Sequence, residues 1–281
     1  MSQYICVDIG GTSIKHGVLD ENAIIKECNQ TKTEAWLGGA AVLDKVKTIG
    51  KQYKEQYENI EGICISTAGM VDPEEGKIVF AGELMPGYTG TCIKKELEKA
   101  LEMPCEVEND VNCAGLAEYV SGSAKESHIM FCATVGTGIG GCAIVNGRVF
   151  HGASNSACEV GYIPMGDSDF QTLGASSILG RKVAEKKIEP LDMWDGKKIF
   201  ALAEKGDKVC ISAIKEMCDV LGKGLATICY VLNPDTIVLG GGIMVQKKIL
   251  ENEIRDSLNR YLRPILAEHL QVCFAEYGNE A

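Results

Sequence analysis

Twice in this sequence a short apolar run ends in glycines and a second run returns. Residues 4–8 lead into Gly10, Gly11 and Thr12, and a strand near residues 15–19 follows. Residues 129–135 lead into Gly136, Thr137, Gly138, Ile139, Gly140 and Gly141, read as a turn. Residues 142–145 then return before an Asn146-Gly147 hairpin turn. Two strands closed by a glycine turn form a hairpin, and its recurrence points to two similar halves. The second glycine run is followed by a strand rather than a helix, so it is not a dinucleotide fingerprint. No Walker A pattern occurs either.

The rest of the chain alternates between the two periods. Leu43, Val46, Ile49, Tyr53 and Tyr57 fall on one helix face. Residues 24–31, 60–66 and 105–108 read as strands, 93–101 as a helix, and 67–91 as a Gly- and Pro-rich loop with a hairpin. A helix begins at Asn112. The spacing predicts a long helix over 211–232, stopped by Asn233-Pro234-Asp235, because proline cannot continue the hydrogen-bond ladder. A strand at 236–239, a Gly240–Gly242 loop, a helix at 247–258 and a strand at 270–275 complete the pattern. At 281 residues the chain suits two modest α/β domains, placed at 1–115 and 116–281.

Composition narrows the function. Lys and Arg number 28 against 39 Asp and Glu, a net charge of −11. That balance argues against a nucleic-acid partner, which needs a basic face. No apolar run approaches the roughly 18 residues of a membrane span, and the start, MSQYICVDIGG, is not a signal peptide. The 13 cysteines include no Cys-x-x-Cys pair, and they read as reduced, small apolar side chains of a cytoplasmic protein.

Three glycine loops could admit a phosphate, because backbone N–H groups approach an anion closely where no Cβ intervenes. Each alone also reads as a plain turn. The first has Asp8 immediately before it and Lys15 after it. A carboxylate there suits Mg²⁺ held through water, and a lysine suits phosphate charge. Asp110 follows a strand and precedes a helix. It is a candidate general base, with helix capping by Asn109 or Asp110 the equal alternative.

The segments VDIGGTSIKHGVLD, ENDVNCAG, VGTGIGGCAIVNGRVFHGASNSACEVGY and LNPDTIVLGGGI, in this order, resemble the ROK family over nearly the whole chain. These are sugar kinases and regulators of the actin–hexokinase–Hsp70 superfamily. The resemblance implies a two-domain actin/hexokinase-like (ribonuclease-H-like) α/β fold with an interdomain cleft. It implies ATP as co-substrate and Mg²⁺ near Asp8. Gly10, Gly11, Thr12, Gly136, Thr137 and Gly138 would meet the phosphates, and Gly240, Gly241 and Gly242 would border the adenosine. Asp110 would take the proton of a sugar hydroxyl, usually O6. Gly69, Asn109 and Glu159 would hold other hydroxyls. Family members are commonly homodimers.

The departures bear on specificity. Relatives carry a zinc module of one histidine and several cysteines. Here Tyr162 stands at the histidine position, Gln171 replaces a glutamate, and no cysteine lies between Cys158 and Cys210. The resemblance then implies no structural zinc and a likeness to β-glucoside kinases and N-acetylmannosamine kinases. Tyr162 and Gln171 could hydrogen-bond a sugar or simply pack their loops. N-acetylmannosamine, a β-glucoside and glucose all stay open as acceptors. The rival functions are a catalytically silent sugar sensor and a ROK-type regulator without a DNA-binding domain. The family also runs past a Gly-Asn-x-Ala segment into a final helix, whereas this sequence stops at Ala281, which reads as a truncation or an omitted tail.

Overall fold

The computed structural model describes residues 2–278; the end expected to be truncated therefore lies outside the described residues. Two compact units form. The first comprises Met1–Cys113 with Gly152–Ser156, and the second Ala114–His151 with Ala157–Ala281.

The first unit opens with β1 (Gln3–Ile9), β2 (Ser13–Asp20) and β3 (Ile25–Lys32), an antiparallel meander. Helix α1 (Gly39–Gln56) crosses to β4 (Ile60–Thr67), which pairs with β1 in parallel. A small hairpin, β5 (Met70–Asp72) and β6 (Lys77–Phe80), occupies the Gly- and Pro-rich stretch. Helix α2 (Ile93–Leu101) leads to β7 (Cys105–Asn109), and α3 (Asp110–Val120) follows without a gap, its residues from Ala114 onward counted in the second unit. The sheet order is β3-β2-β1-β4-β7. Ile5, Val7 and Ile9 of β1 alternate onto the core with Ile63 and Ile65 of β4. Tyr57 packs against the same core, as its spacing suggests, but lies one residue beyond α1. It caps the helix with extended backbone, and its hydroxyl donates to Glu27 Oε2 at 2.7 Å.

The second unit repeats that topology. Strands β8 (Ile129–Val135), β9 (Ile139–Val145) and β10 (Arg148–Val149) form the meander. Next come a two-stranded ribbon, β11 (Pro164–Met165) and β12 (Ser168–Asp169), and the helices α4 (Phe170–Gly174), α5 (Ser177–Lys187), α6 (Gly196–Glu204) and α7 (Lys208–Leu232). Then β13 (Thr236–Gly240), α8 (Lys247–Tyr261), α9 (Pro264–Ala267) and β14 (Gln271–Phe274) close the unit. The order β10-β9-β8-β13-β14 matches that of the first sheet strand for strand. Gly140 and Gly141, read from sequence as turn, lie inside β9 opposite Thr134 and Ala133, so only residues 136–138 make the turn. Among the described residues no helix is long and apolar enough to cross a membrane.

Helix α7 organises the second core. Asp207 caps it by accepting from Val209 N and Cys210 N, each at 3.0 Å. Asn233 ends it in the left-handed region, ahead of Pro234. Its glycines permit close packing: a Cβ on Gly224 would lie 2.3 Å from the fully buried Phe170 ring, and one on Gly222 2.3 Å from Ser257 Oγ. Gly224→Ala should therefore overpack this core and cost about 1–3 kcal/mol. A lower urea midpoint at unchanged slope is the expected measurement.

Candidate functional site

In the first unit the expected residues gather where β1, β4 and β7 end. The strands are parallel, so their C-terminal ends share one edge of the sheet. Asp8 sits one residue from the end of β1, with Lys15 of β2 directly opposite it and Ser66 of β4 on its other side. Ser66 Oγ donates to Asp8 Oδ1 at 2.8 Å and so fixes the carboxylate. Gly10, Gly11 and Thr12 form the tight tip between β1 and β2, where Gly10 N donates to Ser13 O at 3.1 Å. Thr33, fully buried, braces the tip: its Oγ1 donates to Gly10 O at 2.6 Å and its N to Thr12 O at 3.0 Å.

Asp110 is the first residue of α3, two positions earlier than the helix start expected at Asn112. Capping belongs mainly to its neighbour. Asn109 Oδ1 accepts from Val111 N at 2.9 Å and Asn112 N at 3.2 Å, while Asn109 Nδ2 donates to Gly69 O at 2.9 Å. Gly69 has a φ of +103°, and a Cβ there would lie 2.7 Å from Phe80 O, so the carbonyl that receives Asn109 depends on glycine. Asp110 Oδ1 accepts from Asn109 Nδ2 at 3.0 Å and Val111 N at 2.9 Å. Its side chain is solvent-accessible but recessed. Crowding by protein raises its carboxyl above the ordinary aspartate value, the Val111 N–H opposes that rise, and the negative charge of Asp8 adds to it.

Three residues without a role assigned from sequence complete this cluster. Ser66 holds Asp8. Glu108 Oε1 accepts from Asn109 N at 2.7 Å and Asn112 Nδ2 at 2.9 Å, which stiffens the start of α3. Cys113, one turn into α3, lies beside Ser66, and burial pushes its thiol up to about 12. Alternation along β4 could have revealed Ser66, since it shares with Asp8 the face opposite Ile63 and Ile65.

In the second unit, Gly136, Thr137 and Gly138 turn at the end of β8, and Gly240, Gly241 and Gly242 follow the neighbouring parallel strand β13. Gly241 has a φ of +93°, and a Cβ there would lie 2.4 Å from Val135 O, so this loop abuts the backbone at the end of β8. Ser176 and Ser177, at the start of α5, hold the first tip. Ser176 Oγ donates to Gly136 O at 2.6 Å and Ser177 Oγ to Thr137 O at 3.0 Å. Gln171 Oε1 lies 2.9 Å from a Cβ placed on Gly138 and 3.0 Å from one on Gly161, so this amide is wedged against both backbones. Glu159 is exposed, with its carboxyl raised by burial of part of the side chain. Tyr162, which follows Gly161, is 62% exposed.

Among the described residues no three His, Cys, Asp or Glu side chains group so as to hold a metal ion. Mg²⁺ needs no such cage. It binds through one or two carboxylates while phosphate oxygens and water fill its octahedron. Asp8, oriented by Ser66 and close enough to Asp110 to raise its pKa, fits that requirement.

A family model described as the ROK family matches residues 4–281. An uncharacterized protein of Clostridium perfringens is 44% identical over 282 residues, covering 100% of this chain and 95% of its own length. A β-glucoside kinase of Klebsiella pneumoniae is 31% identical over 84% of this chain and 80% of its own. Among solved structures, a ROK family glucokinase from Streptomyces griseus in complex with glucose and AMPPNP superposes with a TM-score of 0.82 at 26% identity. It covers 99% of this chain and 96% of that one.

The Asn109 cap yields a prediction. Asn109→Ala removes an acceptor shared by two helix N–H groups and should lower stability by about 0.5–2 kcal/mol. Hydrogen exchange at Val111 and Asn112 should accelerate more than in α1.

Proposed function

We propose, from the premise that this chain belongs to the ROK family and is an ATP-dependent sugar kinase, that it phosphorylates O6 of a hexose-like sugar with Asp110 as the general base. The observation that carries this reading is the division of labour at the start of α3. Asn109 does most of the capping, and Asp110 keeps a recessed carboxylate with raised basicity. A base of that kind accepts the proton of a sugar hydroxyl as it attacks, an effect worth roughly 10²–10⁴-fold.

The remaining roles follow from chemistry and position. Asp8, Gly10, Gly11, Thr12 and Lys15 bind the phosphate end of ATP, and the hairpin tip offers its N–H groups to oxygen. Gly136, Thr137 and Gly138 bind the other phosphates, with Gly240, Gly241 and Gly242 beside the adenosine. Mg²⁺, held by Asp8 through water, would neutralise phosphate charge. Gly69, Asn109, Glu159, Tyr162 and Gln171 orient the acceptor. Since phosphoryl transfer is mostly positioning and charge neutralisation, the rigid braces at Thr33, Ser66 and Ser176 contribute as much as the groups they hold. The acceptors best supported are a β-glucoside or glucose, in keeping with the named relatives, with N-acetylmannosamine carried by the sequence resemblance. The reading also includes a cytoplasmic homodimer of two domains, without structural zinc or a nucleic-acid partner.

Asp110→Asn should keep sugar binding but lower kcat by at least about 10²-fold. A coupled ADP-release assay over a panel of these sugars measures this, and near-normal turnover would sink the base assignment. In the parent enzyme kcat/KM should fall as pH drops through the Asp110 pKa. Because that pKa is raised, the acid limb should lie above the ordinary aspartate value of about 3.9. The limb should be absent from whatever activity Asp110→Asn retains.

A further inference from the structure

Two thiols beside Asp8 have no part in the kinase reading. Cys6 of β1 and Cys64 of β4 are direct partners across the parallel pair, two residues before the Asp8–Ser66 partnership. Ile5, Val7, Ile63 and Ile65 point to the core, so Cys6, Asp8, Cys64 and Ser66 share the opposite face. Both cysteines are free, Cys64 is exposed, and Cys6 is half-buried. The two sulfurs lie close enough to interact. Neighbouring strands lie about 4.8 Å apart. That spacing falls inside the roughly 4.4–6.8 Å between Cα atoms that a disulfide spans.

We propose that Cys6 and Cys64 are an oxidation site for hydroperoxides, closing reversibly to a disulfide that ties β1 to β4 next to Asp8 and Ser66. The exposed Cys64 sulfur attacks the terminal peroxide oxygen. The O–O bond breaks, the other oxygen leaves as water or an alcohol, and Cys64 becomes a sulfenic acid. Cys6 sulfur then attacks Cys64 sulfur, the S–O bond breaks, and the departing hydroxide takes the Cys6 proton as water. Two thiols lose two electrons and two protons, and the peroxide is reduced by two electrons. A dithiol reverses the change by exchange.

Parallel strands set the two Cβ atoms wider apart than the roughly 3.5–4.5 Å a relaxed disulfide prefers. Closure therefore draws the strands together locally and shifts the Asp8 carboxylate and its Ser66 partner. The expected loss of activity rests on the kinase reading of Asp8; the bond itself does not.

The test treats the fully reduced chain with stoichiometric hydrogen peroxide, alkylates it, and digests it with trypsin without reductant. Cys6 and Cys64 are the only cysteines in peptides 1–15 and 55–77. A linked 1–15/55–77 species is expected, two hydrogens lighter than the separate peptides. Turnover should fall at least about tenfold and return with dithiothreitol. Cys64→Ser, or Cys64→Ala if serine fails to fold, should keep basal turnover within about twofold and resist the same peroxide dose. The proposal is overturned by absence of the linked species, by linkage to Cys113 instead, by linkage with unchanged turnover, or by a Cys64 variant as sensitive as the parent. Linkage in a protein with no reduced-state activity on any sugar would support the thiol pair and count against the kinase reading instead.

Discussion

Parallel pairing of the first strand of each sheet with the strand that follows the helical crossover is the constraint on which the site depends. β1 lies beside β4 and β8 beside β13, both in parallel. A parallel neighbour places both C-terminal ends at one edge of the sheet, where ligands of α/β proteins gather. In the first unit that edge carries Asp8, Ser66 and, one strand further on, Asn109. In the second it carries both glycine loops, with Gly241 against the backbone of Val135 at the end of β8. The register is protected, because slipping by one residue would turn Ile5, Val7 and Ile9 out of the core and Asp8 into it.

The groups proposed to do chemistry are few, and those that hold them are many. Asp8 is aimed by Ser66, the first hairpin tip by Thr33, the second by Ser176 and Ser177, and the start of α3 by Glu108. Each brace is a hydroxyl or carboxylate bonded to backbone or to one polar side chain. Such contacts add little to global stability, about 1 kcal/mol apiece. Their value is geometric, since sub-ångström placement decides rate in a reaction governed by orientation.

The hairpins, the long α7 and its Pro234 stop could be read from sequence, since each rests on local period or local stereochemistry. The long-range braces could not. Nothing about Thr33 or Ser176 announces that it will meet Gly10 or Gly136, because those contacts exist only after the strands pair. The run at 136–141 misled for a related reason. Gly140 and Gly141 resemble turn residues but sit in β9, where a Cβ on Gly141 would strike the Phe131 ring at 2.9 Å. Likewise Gly152–Ser156 groups with the first unit although it follows a strand of the second, a long-range contact pattern without a compositional signal.

On the proposed residue roles, the Gln171 wedge would couple two properties that selection could otherwise tune apart. Its amide touches the space beside Gly138, at the tip assigned to nucleotide phosphates, and beside Gly161, next to the residue assigned to the acceptor. A lineage that altered residue 171 to admit a different sugar would disturb the phosphate tip in the same step. Shifts of sugar range in such a chain should therefore arrive through Tyr162 or Glu159, whose exposed side chains can change without moving that tip. The wedge would then be among the last positions to drift.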